Sequence, residues 1–467
     1  LFESTEKMTT QKTPNKHIFF IGVGGIGMSA VARYFLHFGY KVWGYDKVTT
    51  DLTETLEKEG VSVSYQDEWL SQYDAFTPDT TEVVYTPAIP ESNVLRTLFE
   101  QKGFKLMKRA EALGTITRMS DSLCVAGTHG KSTTSAMVAY LLSNTQDKCN
   151  AFLGAIAANF NSNFLIHEKA RYTVVEADEF DRSFLHLSPF ASIVTNVDPD
   201  HLDIYGTHDK FFEGFRQYAL KIDPNGVLVV KEGIQLHTLC RQVTYAVESI
   251  SATYSVFNIR QAPTGCLIDI RTPQGNFYDV SIGIAGIHNA ENALAAIALL
   301  LEIGYSPQTF LPAFENFRGL KRRFEWIYQG NNIQFIDDYA HHPTEINRLV
   351  SSLRALYPNK KLIGIFQPHL FTRTRDFGDD FGRELALLDE VILLPIYPAR
   401  EKPIQTIDSE WLLTKIPNRN KMLVDKSLLL EKMKGVRDAV VVCIGAGDID
   451  RLVLPIKEIL ALNDTQP

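Results

Sequence analysis

The chain has 467 residues, 45% hydrophobic and 22% charged, which excludes global disorder and allows two to four domains, with three as the central expectation. Lys plus Arg total 47 and Asp plus Glu 55, so the net charge of −8 argues against a broad basic nucleic-acid surface. No apolar run reaches the roughly 18 residues of a membrane span, and five scattered cysteines without a CxxC pair fit a reducing compartment, with neither a disulfide framework nor a zinc site.

Leu1 to Lys7 precede Met8, which reads as a natural start, and are set aside. No secretion signal follows, so the expected location is the cytoplasm. Three strand–helix blocks succeed one another, giving expected domains of 8–110, 111–317 and 318–467. The first opens on His17–Ile21, a short apolar run of the kind a buried parallel strand needs. A glycine turn, a helix over Met28–Phe38 and a strand over Lys41–Tyr45 follow. The second opens on the strand Ser122–Ala126, then a glycine loop and a helix over Thr133–Leu142. Strands are expected at Tyr172–Glu176 and Ala191–Thr195, then a β-rich stretch over 226–285 and an alanine-rich helix over 289–302. The third begins near Phe317 and holds strands at Ile333–Ile336, Lys361–Phe366, Val391–Leu394 and Ala439–Ile444. Pro343 suits the first turn of a helix with Ile346, Leu349, Val350 and Leu353 on one face. Alternating strands and helices predict an α/β protein with parallel sheets.

Gly127-Thr128-His129-Gly130-Lys131-Ser132 lies between a strand and a helix. Backbone amides and a helix N-terminus there would face an anion, Lys131 would meet phosphate oxygens, and the Ser132 hydroxyl would ligate Mg²⁺. Position 125 is Val125 where the longer phosphate loop carries glycine, and a chance glycine turn is the bland alternative. Gly22-Val23-Gly24-Gly25-Ile26-Gly27 follows the first strand, with Asp46 ending the next. That pattern fits a dinucleotide, another nucleotide's diphosphate, or a structural turn; the diphosphate of another nucleotide is favoured.

Glu176-Ala177-Asp178-Glu179-Phe180-Asp181 crowds four carboxylates at a strand end, which is costly unless a cation is shared. Glu176 could ligate the ion that Ser132 touches; a solvated acidic loop is the alternative. His201 follows another strand end among Asp198, Asp200 and Asp203, where a metal or phosphate role competes with a structural one. Asn289 and Asn292, one turn apart, could present amides to a base edge, or Asn289 could cap its helix. Arg322-Arg323, Asp337-Asp338-Tyr339-Ala340-His341-His342 and Gln367 to Arg375 gather at strand ends, where open α/β sheets bind ligands. Arg373 and Arg375 are planar forks for carboxylate or phosphate, or a solvated basic loop. Adjacent His341 and His342 would point apart, so one shared metal is not expected.

These segments, in this order from His17 onward, resemble the Mur ligases, ATP-dependent amide-forming enzymes of peptidoglycan synthesis. The similarity is greatest to the alanine-adding branch, through GVGGIGMS, GTHGKS, EADEFD, DDYAHHP, the FQPH and TRTRDF segments and Tyr397 to Glu401. It implies an N-terminal Rossmann-like domain that holds UDP through Gly22, Gly24, Gly25, Gly27 and Asp46. It implies a central ATP and Mg²⁺ domain, with Gly127, Thr128, His129, Gly130, Lys131 and Ser132 on phosphate and Asn289 and Asn292 on adenine. Ser132 and Glu176 match ligands of one Mg²⁺ and His201 a ligand of a second. A C-terminal Rossmann-like α/β domain would bring Arg323 and Asp338 near the ribose and phosphates, and Tyr339, His341 and Arg373 to L-alanine.

The implied reaction activates the lactyl carboxylate of UDP-N-acetylmuramate as an acyl phosphate, which the alanine amine attacks; His201 and His341 are candidate bases. Three departures stand out. Leu370 occupies a position where the family often has Arg, Ser132 replaces the more usual Thr, and Lys210 is not assigned the carbamylated-lysine role of some sister enzymes. Competing expectations are a sister ligase that attaches a recycled peptide to the same sugar nucleotide, an NAD-dependent oxidoreductase, and a non-catalytic nucleotide sensor.

Overall fold

Val, Ile and Phe residues too apolar for a half-exposed strand build the centres of three sheets. The computed structural model describes residues 16–66, 76–87, 89–199, 202–262, 265–399 and 401–465. The N-terminal sheet holds β1 (His17–Ile21), β2 (Lys41–Tyr45), β3 (Ser62–Ser64), β4 (Thr81–Tyr85) and β5 (Leu106–Lys108). Its order is β3-β2-β1-β4-β5, parallel throughout, with β1 wholly buried at the centre.

The central sheet comprises β6 (Asp121–Ala126), β7 (Cys149–Ala157), β8 (Ser162–Leu165), β9 (Tyr172–Glu176), β10 (Pro189–Val194), β11 (Val227–Lys231), β12 (Arg241–Val247), β13 (Tyr254–Ala262), β14 (Gly265–Thr272) and β15 (Gly275–Ile282). Its order is β15-β14-β13-β12-β11-β10-β6-β9-β7-β8. The core from β13 to β7 is parallel, while β14, β15 and β8 add antiparallel edges. The alanine-rich helix Ile287–Glu302 is buried along nearly its full length and packs beside the helix Lys131–Ser143.

The C-terminal sheet holds β16 (Glu325–Gln329), β17 (Ile333–Asp338), β18 (Lys361–Phe366), β19 (Glu390–Leu393), β20 (Lys421–Leu423) and β21 (Ala439–Ile444), in the order β16-β17-β21-β18-β19-β20. Only β16 runs antiparallel. Pro343 opens the helix Pro343–Leu356, and its Ile346, Leu349, Val350 and Leu353 are all buried, as their spacing predicts.

The residues fall into two compact units, up to Gly319 and from Leu320 onward. The first contains two sheets because they share a core. Tyr34 and Phe35 of the helix Ile26–His37 join Phe152 of β7 and Phe164 of β8 in one apolar cluster, with Tyr34 and Phe152 ring centres 5.7 Å apart. Burying each such side chain contributes about 1.5–3 kcal/mol. Fully buried Asn163 seals the same seam. Its amide donates to the Ile26 carbonyl at 2.5 Å, and its oxygen accepts from Arg33, which also pairs with Glu59.

Candidate functional site

The phosphate-type loop owes its shape to three neighbouring strands. Register pairs Val125 with both Glu176 and Ile193, so the carboxyl ends of β6, β9 and β10 lie side by side. Gly127 and Gly130 adopt φ of +130° and +81°, conformations that side chains resist. The segment after β10 stitches the loop down. Asn196 Oδ1 accepts the His129 amide at 2.9 Å, the Thr195 hydroxyl donates to the His129 carbonyl, and the Thr128 hydroxyl donates to the Asp198 carbonyl at 2.6 Å. Gly130 stands at the N-cap of the helix Lys131–Ser143 and, as a glycine, has no side chain with which to cap the first amides. A helix N-terminus of that kind attracts phosphate. Asn292 borders the same point: a Cβ on Gly130 would lie 2.8 Å from its Oδ1. Asn289 is not a cap, since Gly286 holds that position, and it donates to the Ala285 carbonyl at 2.6 Å.

The acidic run is relieved by the protein's own cations. Lys131 Nζ lies 2.7 and 2.9 Å from the two Glu179 oxygens and 2.7 Å from the Gly127 carbonyl. Asp178 pairs with Arg109 at 3.1 Å, and Asp181 with Lys108 at 2.8 Å. Glu176 takes none of these. Its Oε2 accepts the Gly154 amide at 3.0 Å, and only a glycine at 154 leaves room for the carboxylate there. Burial lowers the proton affinity of Lys131, but Glu179, Asp178 and Glu176 outweigh it and keep the ammonium charged. Burial pushes Glu179 up to about 7, against the pull of Lys131. Asp181 and Arg182 both have positive φ, so the run turns sharply to reach its partners.

Among the described residues no group of three or more His, Cys, Asp or Glu is assembled for a metal. Ser132 and Glu176 are oxygen donors, which suits Mg²⁺, an ion that completes its shell with substrate phosphates and water. The residues present therefore fit the ion. His201 lies outside the described residues.

The first glycine loop is also assembled. Gly22 has φ of +88°, and Asp46 accepts the Gly24 amide at 2.8 Å. Gly25 is the N-cap of the helix Ile26–His37, again without a side-chain cap. Gly27 faces Arg109, whose guanidinium occupies the space a Cβ would need. Arg109 thus touches this loop and the acidic run together.

In the C-terminal unit, Asp338 and Phe366 both pair with Ile444, which levels the ends of β17, β21 and β18. Asp338 accepts the Phe324 and Ala340 amides at 2.6 and 2.7 Å. Arg322 reaches Asp337 at 3.2 Å and the Gly445 carbonyl at 2.6 Å, and the guanidinium groups of Arg322 and Arg323 lie 5.1 and 5.5 Å from the Tyr339 ring centre. His341 Nδ1 is 2.9 Å from the Tyr339 carbonyl, while His342 caps the helix that Pro343 begins, so the two rings do serve different ends. His369 connects the cluster: its ring lies 6.2 Å from His341 and is stacked on Tyr397, and Arg373 Nη1 is 3.5 Å from its Nδ1. Leu370 has φ of +72° and donates its amide to the Tyr397 carbonyl.

Burial raises two carboxylates here, Asp337 to about 7 and Asp338 to about 6, from an ordinary 3.8. Arg322 and Arg323 oppose the shifts. A carboxyl with a raised folded value binds its proton more tightly folded than unfolded, so stability falls as pH climbs from about 4 to about 7. The expected loss is on the order of a few kcal/mol across that window. Urea titrations of the full chain at pH 5 and pH 8 should show it, and Asp337→Asn should remove the larger share; an unchanged pH slope in the variant would contradict the assignment.

Three family models cover most of the chain: "Mur ligase family, catalytic domain" over 17–120, "Mur ligase middle domain" over 125–300, and "Mur ligase, glutamate ligase domain" over 322–447. The chain belongs to the Mur ligase family. The enzymes of that family are ATP-dependent amide-bond-forming ligases, and this ligase has their three-domain α/β architecture. It is 46% identical to the UDP-N-acetylmuramate–L-alanine ligase of Parabacteroides distasonis, over 96% of this chain and 98% of the relative. It is 45% identical to the enzyme of the same name from Phocaeicola vulgatus, over 94% and 96%. The crystal structure of the UDP-N-acetylmuramate–alanine ligase of Thermotoga maritima superposes with a TM-score of 0.79 at 28% identity, covering 96% of this chain and 98% of that one. A murein peptide ligase from Psychrobacter arcticus shares the fold, at a TM-score of 0.70 and 20% identity.

Within the ligase, Gly127 to Ser132, Glu176 and Asn292 come together on the central sheet, and Gly22 to Gly27 with Asp46 on the N-terminal one. Arg323, Asp338, Tyr339, His341 and Arg373 gather in the C-terminal unit. Glu179, Arg109, Gly154 and His369 join these residues in the structure, and of the four only Glu179 and His369 stand inside sequence motifs. Arg109 and Gly154 carry no local signal, because their partners are remote in sequence. Lys210 is an exposed residue in the first turn of the helix His208–Ala219.

Proposed function

We infer that this ligase joins L-alanine to the lactyl carboxylate of UDP-N-acetylmuramate, with ATP converted to ADP and phosphate, in peptidoglycan precursor synthesis. The observation that carries the reading is near-complete coverage by alanine-ligase relatives at 42–46% identity, on a chain whose two glycine loops are both formed. A nicotinamide oxidoreductase needs one nucleotide cradle, and a second phosphate loop argues against it. We assign the UDP-sugar to 8–110, ATP to 111–317 and the amino acid to 318–467. The five free cysteines, four of them buried, fit a cytoplasmic enzyme.

The lactyl carboxylate is a poor electrophile and must first attack the γ-phosphate of ATP. Two anions meet in that step, so positive charge has to be held where they approach. Lys131 supplies one charge, and the uncapped amides from Lys131 onward orient the phosphates. Asn289 and Asn292 mark the adenine side. Ser132 and Glu176 would hold Mg²⁺, which supplies further charge neutralisation when bound; the motif assigns His201 to a second ion. Gly22, Gly24, Gly25 and Gly27 would cradle the UDP diphosphate, with Asp46 bracing the loop.

The alanine amine arrives protonated and must lose a proton before it attacks the acyl carbon. Burial holds the His341 imidazole below its ordinary value, although Glu345 pulls the other way. A neutral ring that donates from Nδ1 to the Tyr339 carbonyl presents Nε2 as the acceptor, so His341 can take that proton. Arg373 would be the cation for the alanine carboxylate and Tyr339 would wall that site, both within the C-terminal unit.

The test is phosphate release with ATP, Mg²⁺ and UDP-N-acetylmuramate, with candidate acceptors supplied one at a time. L-Alanine should stimulate release strongly, and omission of any one component should abolish it. Preference for a tripeptide acceptor would instead identify the peptide-recycling reaction.

A further inference from the structure

Lys131 has more oxygen neighbours than protons. Its Nζ carries three, yet lies within hydrogen-bonding distance of both Glu179 oxygens, the Gly127 carbonyl and, at 3.3 Å, the Thr128 carbonyl. A phosphate oxygen that binds this ammonium must displace one of them. The two carbonyls belong to a loop pinned by Thr195, Asn196 and Asp198. Glu179 is a side chain with rotatable bonds, and it is 1% exposed. Its neighbours are otherwise engaged: Asp178 is held by Arg109 and the Phe180 amide, and Asp181 by Lys108. The Glu179 main chain is held by its carbonyl, which accepts the Tyr205 hydroxyl at 2.6 Å. Displacing its carboxylate from Nζ takes rotation of the side chain, whereas displacing either carbonyl takes a change in the pinned loop.

We propose that Glu179 is a positioning residue that competes with nucleotide phosphate for the Lys131 ammonium, drawing Lys131 back onto its loop and lowering the affinity for ATP. The proposal rests on the reading of Gly127 to Ser132 as the ATP loop. The physical argument is one of compensation. A buried ammonium deprived of its carboxylate is costly in the free protein. Phosphate then supplies the missing charge, so the same loop binds nucleotide more tightly once the competitor is neutral. The carboxylate also repels the incoming phosphates, and an amide of the same shape does not.

ATP binding should be measured by titration calorimetry, with Mg²⁺ and without sugar nucleotide or amino acid, for the full-length parent, Glu179→Gln, Glu179→Asp and Lys131→Ala. Glu179→Gln should bind ATP about tenfold more tightly than the parent, the scale of one charge-assisted hydrogen bond. Glu179→Asp, with a shorter reach to Nζ, should tighten binding about two- to threefold. Lys131→Ala should weaken it at least tenfold. A purely structural Glu179 would lower the melting temperature of its variants without raising their affinity. Equal or weaker binding by Glu179→Gln, or by Glu179→Asp if the glutamine variant does not fold, overturns the proposal. If Lys131→Ala binds ATP like the parent, the loop assignment itself is wrong, and that result is distinct from failure at Glu179 alone.

Discussion

Lys131→Ala is expected to lower phosphate release in the complete assay by roughly a thousandfold or more, the effect of losing a preorganised cation at a phosphoryl-transfer centre. Binding of the sugar nucleotide should stay close to that of the parent, because Gly22 to Gly27 and Asp46 form their loop on another sheet. The variant also leaves Glu179 buried without its ammonium. That carboxyl already sits near 7, so protonation absorbs part of the cost, and the fold should persist. Single-turnover phosphate release and calorimetric titration with UDP-N-acetylmuramate separate the two effects. A variant that kept most of its turnover would remove Lys131 from the chemistry.

Gly127→Ala should be nearly as damaging, and for a backbone reason. The residue has φ of +130°, and a Cβ there would collide with the Thr195 hydroxyl and lie 2.9 Å from the Asn196 amide. Strain at such a φ costs on the order of 1–3 kcal/mol, and loss of the Thr195 bond to the His129 carbonyl adds about 1 kcal/mol. The expected result is a melting temperature roughly 5–10 °C lower and turnover reduced about a hundredfold or more as the amides lose their aim. Gly275→Ala provides the contrast. Its φ of +124° is similar, but nothing lies within 4 Å of the new Cβ. That substitution, at the first residue of β15, should cost only the φ strain, on the order of 1–3 kcal/mol, and leave turnover unchanged. Equal damage from both would mean that φ strain alone, and not the packing of the phosphate loop against Thr195, sets the loss.

The acidic run shows how composition can point to the right place for an incomplete reason. Four carboxylates in six residues implied a shared cation. The structure supplies three from the chain itself, Lys108, Arg109 and Lys131, and sets only Glu176 apart, against Gly154. The pairing could not be read locally, since Lys108 and Arg109 come from the end of the first sheet. Sequence spacing allows Asn289 to be either a cap or a base contact, and Gly286, not Asn289, occupies the N-cap.

The strands were the most legible feature. β1, β2, β9, β18 and β21 coincide with the expected strands, because the middle of a strand buried on both faces is almost wholly apolar and polar residues such as Lys41, Glu176 and Lys361 fall at its ends. The glycine loops were legible for a related reason: a backbone that turns through positive φ next to a helix start admits few residues other than glycine. Sequence alone therefore determined the α/β class, the positions of both loops and the order of the motifs that mark the family. Tertiary structure decided which charge meets which. The reach of Arg109 to both Gly27 and Asp178, the grip of Glu179 on Lys131 and the bridge of His369 between His341 and Tyr397 depend on strand order and crossover geometry, which bring together residues whose separation along the chain carries no periodic trace.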